Sequence, residues 1–311
     1  MRWQRIVAFL LVASALAAAV VYAAFPEWIL AGLNVAARRA AGLERASVEV
    51  GDQRVVYLHG GSGPGVVVLL HGFGGNKDHW IAVAARLAAD HRVIVPDVPG
   101  FGESPYQEGA RYDPLSQATR IALFLAAIDV HEHHLGGLSM GGQIAATYAA
   151  TFPERVRSLL VAAAPGVRSP ERTDFIRRAL AGEHPLAVRD EAGLDALMAL
   201  ATFQPPALPG FVKRALVRSG RAREAAEREM FDQIVAAGED MLAPLLPKVR
   251  APTLVLWGAE DRLVHPSAAG VFAASIADAE SVVFPRCGHG LPTECAELVS
   301  ERYAAFLAEH P

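Results

Sequence analysis

His134-Leu135-Gly136-Gly137-Leu138-Ser139-Met140-Gly141-Gly142-Gln143, followed by an apolar, alanine-rich stretch to Thr151, is the part of the chain that decides its fold. A short apolar run enters, a G-x-S-x-G turn follows, and a helical segment leaves. Strand, tight turn and helix in that order force the serine into strained backbone geometry and expose its hydroxyl at the start of a helix. Glycine is required at 137 and 141 because side chains there would meet neighbouring backbone.

Outward from this turn, strands and helices alternate. Residues 47–50 and 53–59 alternate in polarity around Gly51-Asp52, which predicts an antiparallel hairpin. Residues 66–70 form a continuous apolar run, as expected of a strand covered on both faces. Residues 78–89 are helical in pattern, 92–95 form another buried strand, and 114–128 a helix capped by Asp113. Strands at 156–163, 253–257 and 281–284, with helices from about 267 and up to about 307, complete the series. Such alternation predicts an α/β fold with a mostly parallel sheet and helices on both faces. Between residues 166 and 247 the alternation stops. That stretch is helical but broken by Pro205-Pro206 and Pro209-Gly210, and reads as a lid inserted over the sheet's carboxyl edge, where open α/β sheets bind ligands. The expected division is 1–46, an N-terminal segment; 47–165 with 248–311, the core; and 166–247, the lid. Residues 218–228 are strongly charged and read as a solvated helix face.

A serine hydroxyl is a weak nucleophile unless an oriented base takes its proton. Asp261 follows the strand at 253–257 and His289 follows the strand at 281–284, so both fall on loops at the edge that carries Ser139. The chain order Ser…Asp…His is the one this architecture uses. Ser139 is therefore the expected nucleophile, His289 the base and Asp261 the group that orients it. A developing oxyanion needs preorganised donors. The expected donors are the backbone N–H groups of Met140 and of Phe73, in the loop His71-Gly72-Phe73-Gly74-Gly75. His71 and Asp97 are expected to be structural, tying loop and turn backbone together.

The 311 residues are 52% hydrophobic and 20% charged, enough for a packed core and incompatible with global disorder. With 29 basic against 33 acidic residues the net charge is −4, which argues against a nucleic-acid partner. Two cysteines, Cys287 and Cys295, cannot build a disulfide framework or a four-cysteine zinc site. They are read as two independent buried thiols, with a disulfide as the alternative in an oxidising compartment. His131, His133 and His134 straddle a strand start without ligand-spaced partners, so no metal is expected, and no organic cofactor.

Residues 6–25 are twenty positions without a charge. As a helix they would span about 30 Å, the hydrocarbon thickness of a bilayer. Arg2 and Arg5 precede the run, and no cation follows before Arg38. This predicts a single-pass membrane helix with its N-terminus cytoplasmic and the catalytic domain on the opposite, periplasmic or extracytoplasmic side. A cleaved signal peptide, cut after Ala15-Leu16-Ala17 or Ala17-Ala18-Ala19, is the competing reading. Tyr22 and Trp28 fall where interfacial aromatics sit, and Arg38, Arg39 and Arg45 are expected against lipid headgroups. The small residues Ala13, Ser14, Ala17 and Ala18 would let two such helices approach closely, a route to a homodimer.

Taken with His71-Gly72-Phe73-Gly74-Gly75-Asn76-Lys77-Asp78-His79-Trp80, Asp97-Val98-Pro99-Gly100, Ser139-Met140-Gly141-Gly142-Gln143 and Cys287-Gly288-His289, the chain resembles the α/β-hydrolases over residues 47–308. It is most similar to membrane-anchored monoacylglycerol-lipase-like and phospholipase-like serine hydrolases. The resemblance implies the triad Ser139, Asp261, His289, the oxyanion donors Phe73 and Met140, and a lipid ester substrate at a bilayer. Gly290 departs from it, standing where larger residues are common. The expected function is a serine carboxylester hydrolase of lipid esters working through an acyl-enzyme, with Leu197, Met198, Phe203 and Phe211 lining an acyl tunnel. A serine-dependent C–C bond hydrolase or perhydrolase, and a non-catalytic membrane-tethered binding protein, stay open as alternatives.

Overall fold

The structure, a computed structural model, describes residues 3, 4, 6, 7, 9, 10, 13 and 25–311. Helix α1 (Pro26–Ala40) starts with proline at its first turn, where a missing N–H costs nothing, and is followed by the hairpin β1 (Glu44–Val50) and β2 (Gln53–Gly60). Next come β3 (Gly65–Leu70), a 3-10 turn at Lys77–Trp80, α2 (Ile81–Leu87), β4 (His91–Pro96) and α3 (Pro114–Ala127). Asp113 caps α3 by accepting a hydrogen bond from the Ser116 N–H at 3.1 Å, as its position before Pro114 predicts. The strand β5 (His133–Leu138) leads through Ser139 into α4 (Met140–Thr151), and β6 (Val156–Ala162) follows.

Three helices then intervene: α5 (Asp174–Leu180), α6 (Glu191–Ala201) and α7 (Gly210–Ala236). Thr173 and Asp190 cap the first two through the Ile176 and Gly193 amides. The core resumes with β7 (Thr253–Gly258), α8 (Ser267–Ser275), β8 (Ala279–Phe284), the single turn α9 (Leu291–Glu294) and α10 (Ala296–Glu309). Among the described residues eight strands make one sheet in the order β1-β2-β4-β3-β5-β6-β7-β8. β1 pairs antiparallel with β2 and β2 antiparallel with β4 at one edge, and the other neighbours are parallel. The parallel centre is covered on both faces, which is why β3 and β7 are apolar runs rather than alternating ones and why β5 is buried along its whole length. All parallel strands end at one edge, and that edge carries the loops holding Phe73, Ser139, Asp261 and His289.

The N-terminal expectation is corrected. Among the described residues no helix is long and apolar enough to cross a membrane, so the single-pass topology with an extracytoplasmic catalytic domain is not supported. At 15 residues α1 is about 22 Å long and carries Glu27, Arg38 and Arg39, too short and too charged to span. Most of the run 6–25, including the proposed cleavage sites, Tyr22, and Ser14, Ala17 and Ala18 of the dimer stripe, lies outside the described residues. The arginines behind it are not all free for headgroups either. The Arg38 guanidinium donates to Asp78 at 2.6 and 2.7 Å, and Arg45 reaches Glu103 at 2.6 Å, so core carboxylates hold both.

Candidate active site

Ser139 has φ 55° and ψ −120°, a conformation that costs a non-glycine residue about 1–3 kcal/mol and persists only when its surroundings enforce it. They do so from both sides. The Ser139 N–H donates to the Ala162 carbonyl of β6 at 2.8 Å, and the Ser139 carbonyl accepts from Gln143 in the first turn of α4 at 2.9 Å. The glycine requirement is also met: a Cβ on Gly137 would stand 2.2 Å from Gly141 backbone, and one on Gly141 would stand 2.3 Å from the Leu70 carbonyl oxygen.

Asp261 and His289 come together as expected. His289 Nδ1 lies 2.8 Å from Asp261 Oδ2, and both residues are buried. A carboxylate accepts only, so Nδ1 carries the proton and Nε2 is left with a lone pair, the tautomer a base needs. The other Asp261 oxygen, Oδ1, accepts from the Leu263 and Val264 amides at 2.8 and 2.9 Å, which fixes the carboxylate. Ser139 and His289 line the same cavity, although among the described residues no hydrogen bond joins the Ser139 hydroxyl to the His289 ring. Such bonds commonly tighten only when substrate is bound.

The loop after β3 abuts the nucleophile: a Cβ on Gly72 would lie 3.2 Å from that of Ser139. The Phe73 and Met140 amides have no backbone acceptor among the described residues, which leaves both available as oxyanion donors. The Phe73 ring lines the cavity, edge-on to Phe101 and Phe231 with centroids 5.3 and 5.5 Å away. His71 is structural. Its Nδ1–H donates to the Gly72 carbonyl and its Nε2 accepts from the Val98 amide, and burial pushes its pKa down to about 4. Asp97 is structural too, accepting from the Lys77 and Glu103 amides at 2.8 Å each.

The cavity holds about 520 Å³. Leu197 and Met198 are on its wall; Phe203 and Phe211 are not. The charged stretch 218–228 is only partly a solvated face. Arg223 and Glu227 turn inward from α7, paired at 3.2 Å, and both line the cavity. The expectation of independent thiols is also corrected, because Cys287 and Cys295 are joined as a disulfide across the His289 loop. Their Cα atoms lie 6.2 Å apart, inside the range a bridge accepts, because α9 folds the loop back on itself. The H-x-H-H stretch divides: His131 is exposed beside Asp129, whereas His133 and His134 are buried and pushed down to about 3 and 4, and His134 bonds Ser158 at 2.8 Å.

A family model described as the α/β hydrolase fold matches residues 65–294. The chain belongs to the α/β-hydrolase family. Lipase 1 of Psychrobacter immobilis is 30% identical over 255 residues, covering 81% of this chain and 80% of that protein. Monoacylglycerol lipase ABHD6 of Homo sapiens is 27% identical, covering 87% of this chain and 84% of its own length. A crystal structure described as a membrane phospholipase A and bacterial virulence factor superposes with a TM-score of 0.89 at 37% identity, covering 98% of both chains. Within the α/β-hydrolases these relatives place the chain among the carboxylic ester hydrolases. A meta-cleavage product hydrolase from Pseudomonas fluorescens, with a TM-score of 0.73 at 22% identity, shares the fold alone.

Two features of the site escaped sequence reading. The inward turn of Arg223 and Glu227 is a matter of which face of α7 meets the core, and charge alone points the wrong way. Glu294, five residues after His289, carried no motif, yet its carboxylate receives three backbone amides.

Proposed function

We propose that this chain hydrolyses lipid esters, with Ser139, His289 and Asp261 as its catalytic triad. The observation that carries the reading is one cavity whose wall holds Ser139 and the Asp261-oriented His289 together with Phe175, Leu194, Leu197, Met198 and Phe231. The Ser139–His289 pair thus faces a largely apolar chamber, with the Arg223–Glu227 pair a second polar feature of its wall, which suits an ester carrying an acyl chain and a polar part. The kinship with lipases, a monoacylglycerol lipase and a phospholipase A supports the same substrate class: a monoacylglycerol, a lysophospholipid or a phospholipid.

In this mechanism His289 Nε2 takes the Ser139 proton as Oγ attacks the carbonyl carbon. The oxygen charge that develops is met by the Phe73 and Met140 N–H groups. Collapse of the tetrahedral species expels the alcohol, which leaves with the proton from His289, and an acyl-Ser139 remains. Water, deprotonated by His289, attacks the acyl carbon, and release of the carboxylic acid restores Ser139. Asp261 stabilises the imidazolium in both halves. Residues 166–247 act as a lid over a core of 47–165 and 248–311, and contribute most of the acyl-facing wall.

The test is turnover of a lysophospholipid, a monoacylglycerol and a 2-hydroxy-6-oxodienoate by the full-length protein, beside Ser139→Ala. The esters should be hydrolysed, and Ser139→Ala should lose both turnover and fluorophosphonate labelling. Labelling that survives in Ser139→Ala, or turnover of the dienoate in preference to the esters, would sink the proposal.

A further inference from the structure

The imidazole of His289 is oriented by Asp261, but that bond does not fix the backbone that carries it. Other groups do. The Cys287–Cys295 disulfide closes the loop, and α9 brings Glu294 back over Gly288. Glu294 Oε2 accepts from the Gly288 N–H, immediately before His289, at 2.7 Å. Glu294 Oε1 accepts from the Phe203 and Gln204 amides at 2.6 and 3.1 Å. Those two residues follow closely on α6 of the helical insertion. On the far side of His289 the Gly290 N–H donates to the Ala201 carbonyl, the last residue of α6, at 2.9 Å. Glu260 takes the Cys287 amide at 3.0 Å. Gly288 is pressed so closely on this segment that a Cβ would stand 2.7 Å from Phe203 N.

We propose that Glu294 is a positioning residue for His289, the fastening through which the seating of the α6 end on the core sets where the imidazole stands relative to Ser139. This rests on the reading of Ser139 and His289 as nucleophile and base. Glu294 is absent from the wall of the main cavity, so it acts through loop backbone and not on substrate. Each of its three bonds joins a carboxylate to a backbone amide, the stronger, charge-assisted kind, and those to Gly288 and Phe203 are partly buried. A base displaced by about 1 Å can lose roughly a hundredfold in rate, so a small shift of the loop is enough to be measured. The insertion that walls the substrate chamber is thereby mechanically joined to the base that works inside it.

The test compares Glu294→Gln and Glu294→Ala with the unaltered full-length protein, reading kcat and KM on a short-chain ester and the rate of fluorophosphonate labelling, all per folded molecule. Glutamine keeps an oxygen for Phe203 and Gln204 but loses the acceptor for Gly288; alanine loses all three. The expected result is a fall in kcat of roughly tenfold for Glu294→Gln and roughly a hundredfold for Glu294→Ala, with a parallel loss of labelling rate. KM should stay within about twofold, because the substrate wall is untouched. A purely structural Glu294 would lower the melting temperature and leave kcat per folded molecule unchanged, and that outcome overturns the proposal. Where Glu294→Ala does not fold, Glu294→Gln decides alone. Ser139→Ala separates the two readings. If it remains active, the site assignment fails; if it is inert while both Glu294 variants keep full kcat, only the positioning role fails.

Discussion

Lys77 Nζ lies 2.7 Å from Asp97 Oδ2, and neither side chain is more than 1% exposed. The pair ties the loop after β3 to the turn after β4, and Glu103 Oε1 completes it at 2.7 Å from the same ammonium. Lys77 follows the His71–Gly75 loop by two residues, so this buried pair anchors the chain just after that loop. Removing Asp97 leaves the buried ammonium with Glu103 alone and strips the Lys77 and Glu103 amides of their acceptor, which together costs about 3–5 kcal/mol. Asp97→Ala should therefore melt well below the parent protein, whereas the double variant Lys77→Met with Asp97→Leu should recover only part of the loss, because the Lys77 and Glu103 amides stay without an acceptor. Thermal denaturation of the three proteins is the check, and equal melting of Asp97→Ala and parent would refute it.

Stability should fall on mild acidification. Burial holds the His71 pKa down to about 4 and that of His133 to about 3, so both rings are neutral in the folded protein. In the unfolded chain they take up a proton near the ordinary value of about 6.5. Below that pH the unfolded state binds more protons, and stability drops with a slope of up to about 1.4 kcal/mol per pH unit for each ring. The loss runs from about 6.5 down to the folded values, and above 6.5 the effect is absent. His133 has no hydrogen-bond partner on either ring nitrogen among the described residues, so His133→Phe should keep the packing and flatten the slope. Urea denaturation midpoints at pH 7 and pH 5 test this; parallel curves for parent and variant would count against it.

Glu103 acts in a lower window. Burial raises the pKa of its carboxyl, but Arg45 and Lys77 outweigh burial and hold it down to about 2. A depressed carboxyl stabilises the fold above its unfolded value, and the contribution disappears as pH falls toward the folded value. Glu103→Gln should thus be less stable than the parent at pH 7 and converge with it near pH 2. A difference that persists unchanged at pH 2 would place its cause outside this carboxylate.

Asp261→Asn should keep the fold and lose the chemistry. An amide can donate to His289 Nδ1, which favours the wrong tautomer and removes the lone pair from Nε2 when substrate arrives. The expected fall in kcat is roughly 10⁴-fold, with little change in KM. Circular dichroism and steady-state kinetics on a short-chain ester are sufficient. Activity within tenfold of the parent would mean that another group orients the base.

The geometry of the candidate site was legible in the sequence because its demands are local. Strained backbone at Ser139 needs Gly137 and Gly141 beside it, and apolar strand runs announce where the loops carrying Asp261 and His289 must emerge. Features that depend on which face of an element meets the core were not legible. Charge made residues 218–228 look solvated, whereas Arg223 and Glu227 face the cavity because α7 lies across the sheet edge with its Leu216 and Phe231 side inward. Arg38 resembled a headgroup ligand until Asp78, forty residues later, was found against it. The disulfide belongs with these: an eight-residue spacing permits it, but only the fold-back at α9 brings Cys287 and Cys295 within range.

The shape of the chamber carries a final prediction about substrate length. Met198 and Leu197 reach its wall from α6, Phe231 and Ile234 from α7, so a large side chain from α6 narrows the space between the two helices. Met198→Trp should restrict long acyl chains and spare short ones, because a hydrophobic slot discriminates about 1–3 kcal/mol for each methylene it gains or refuses. The expected outcome is a fall of at least roughly tenfold in kcat/KM for a long-chain ester, with a butyrate ester changed less than about threefold. Equal losses on both would show that the substitution disturbs Ser139 or His289 rather than chain accommodation. Unchanged long-chain activity would mean that the acyl group leaves Ser139 by a path that does not pass α6.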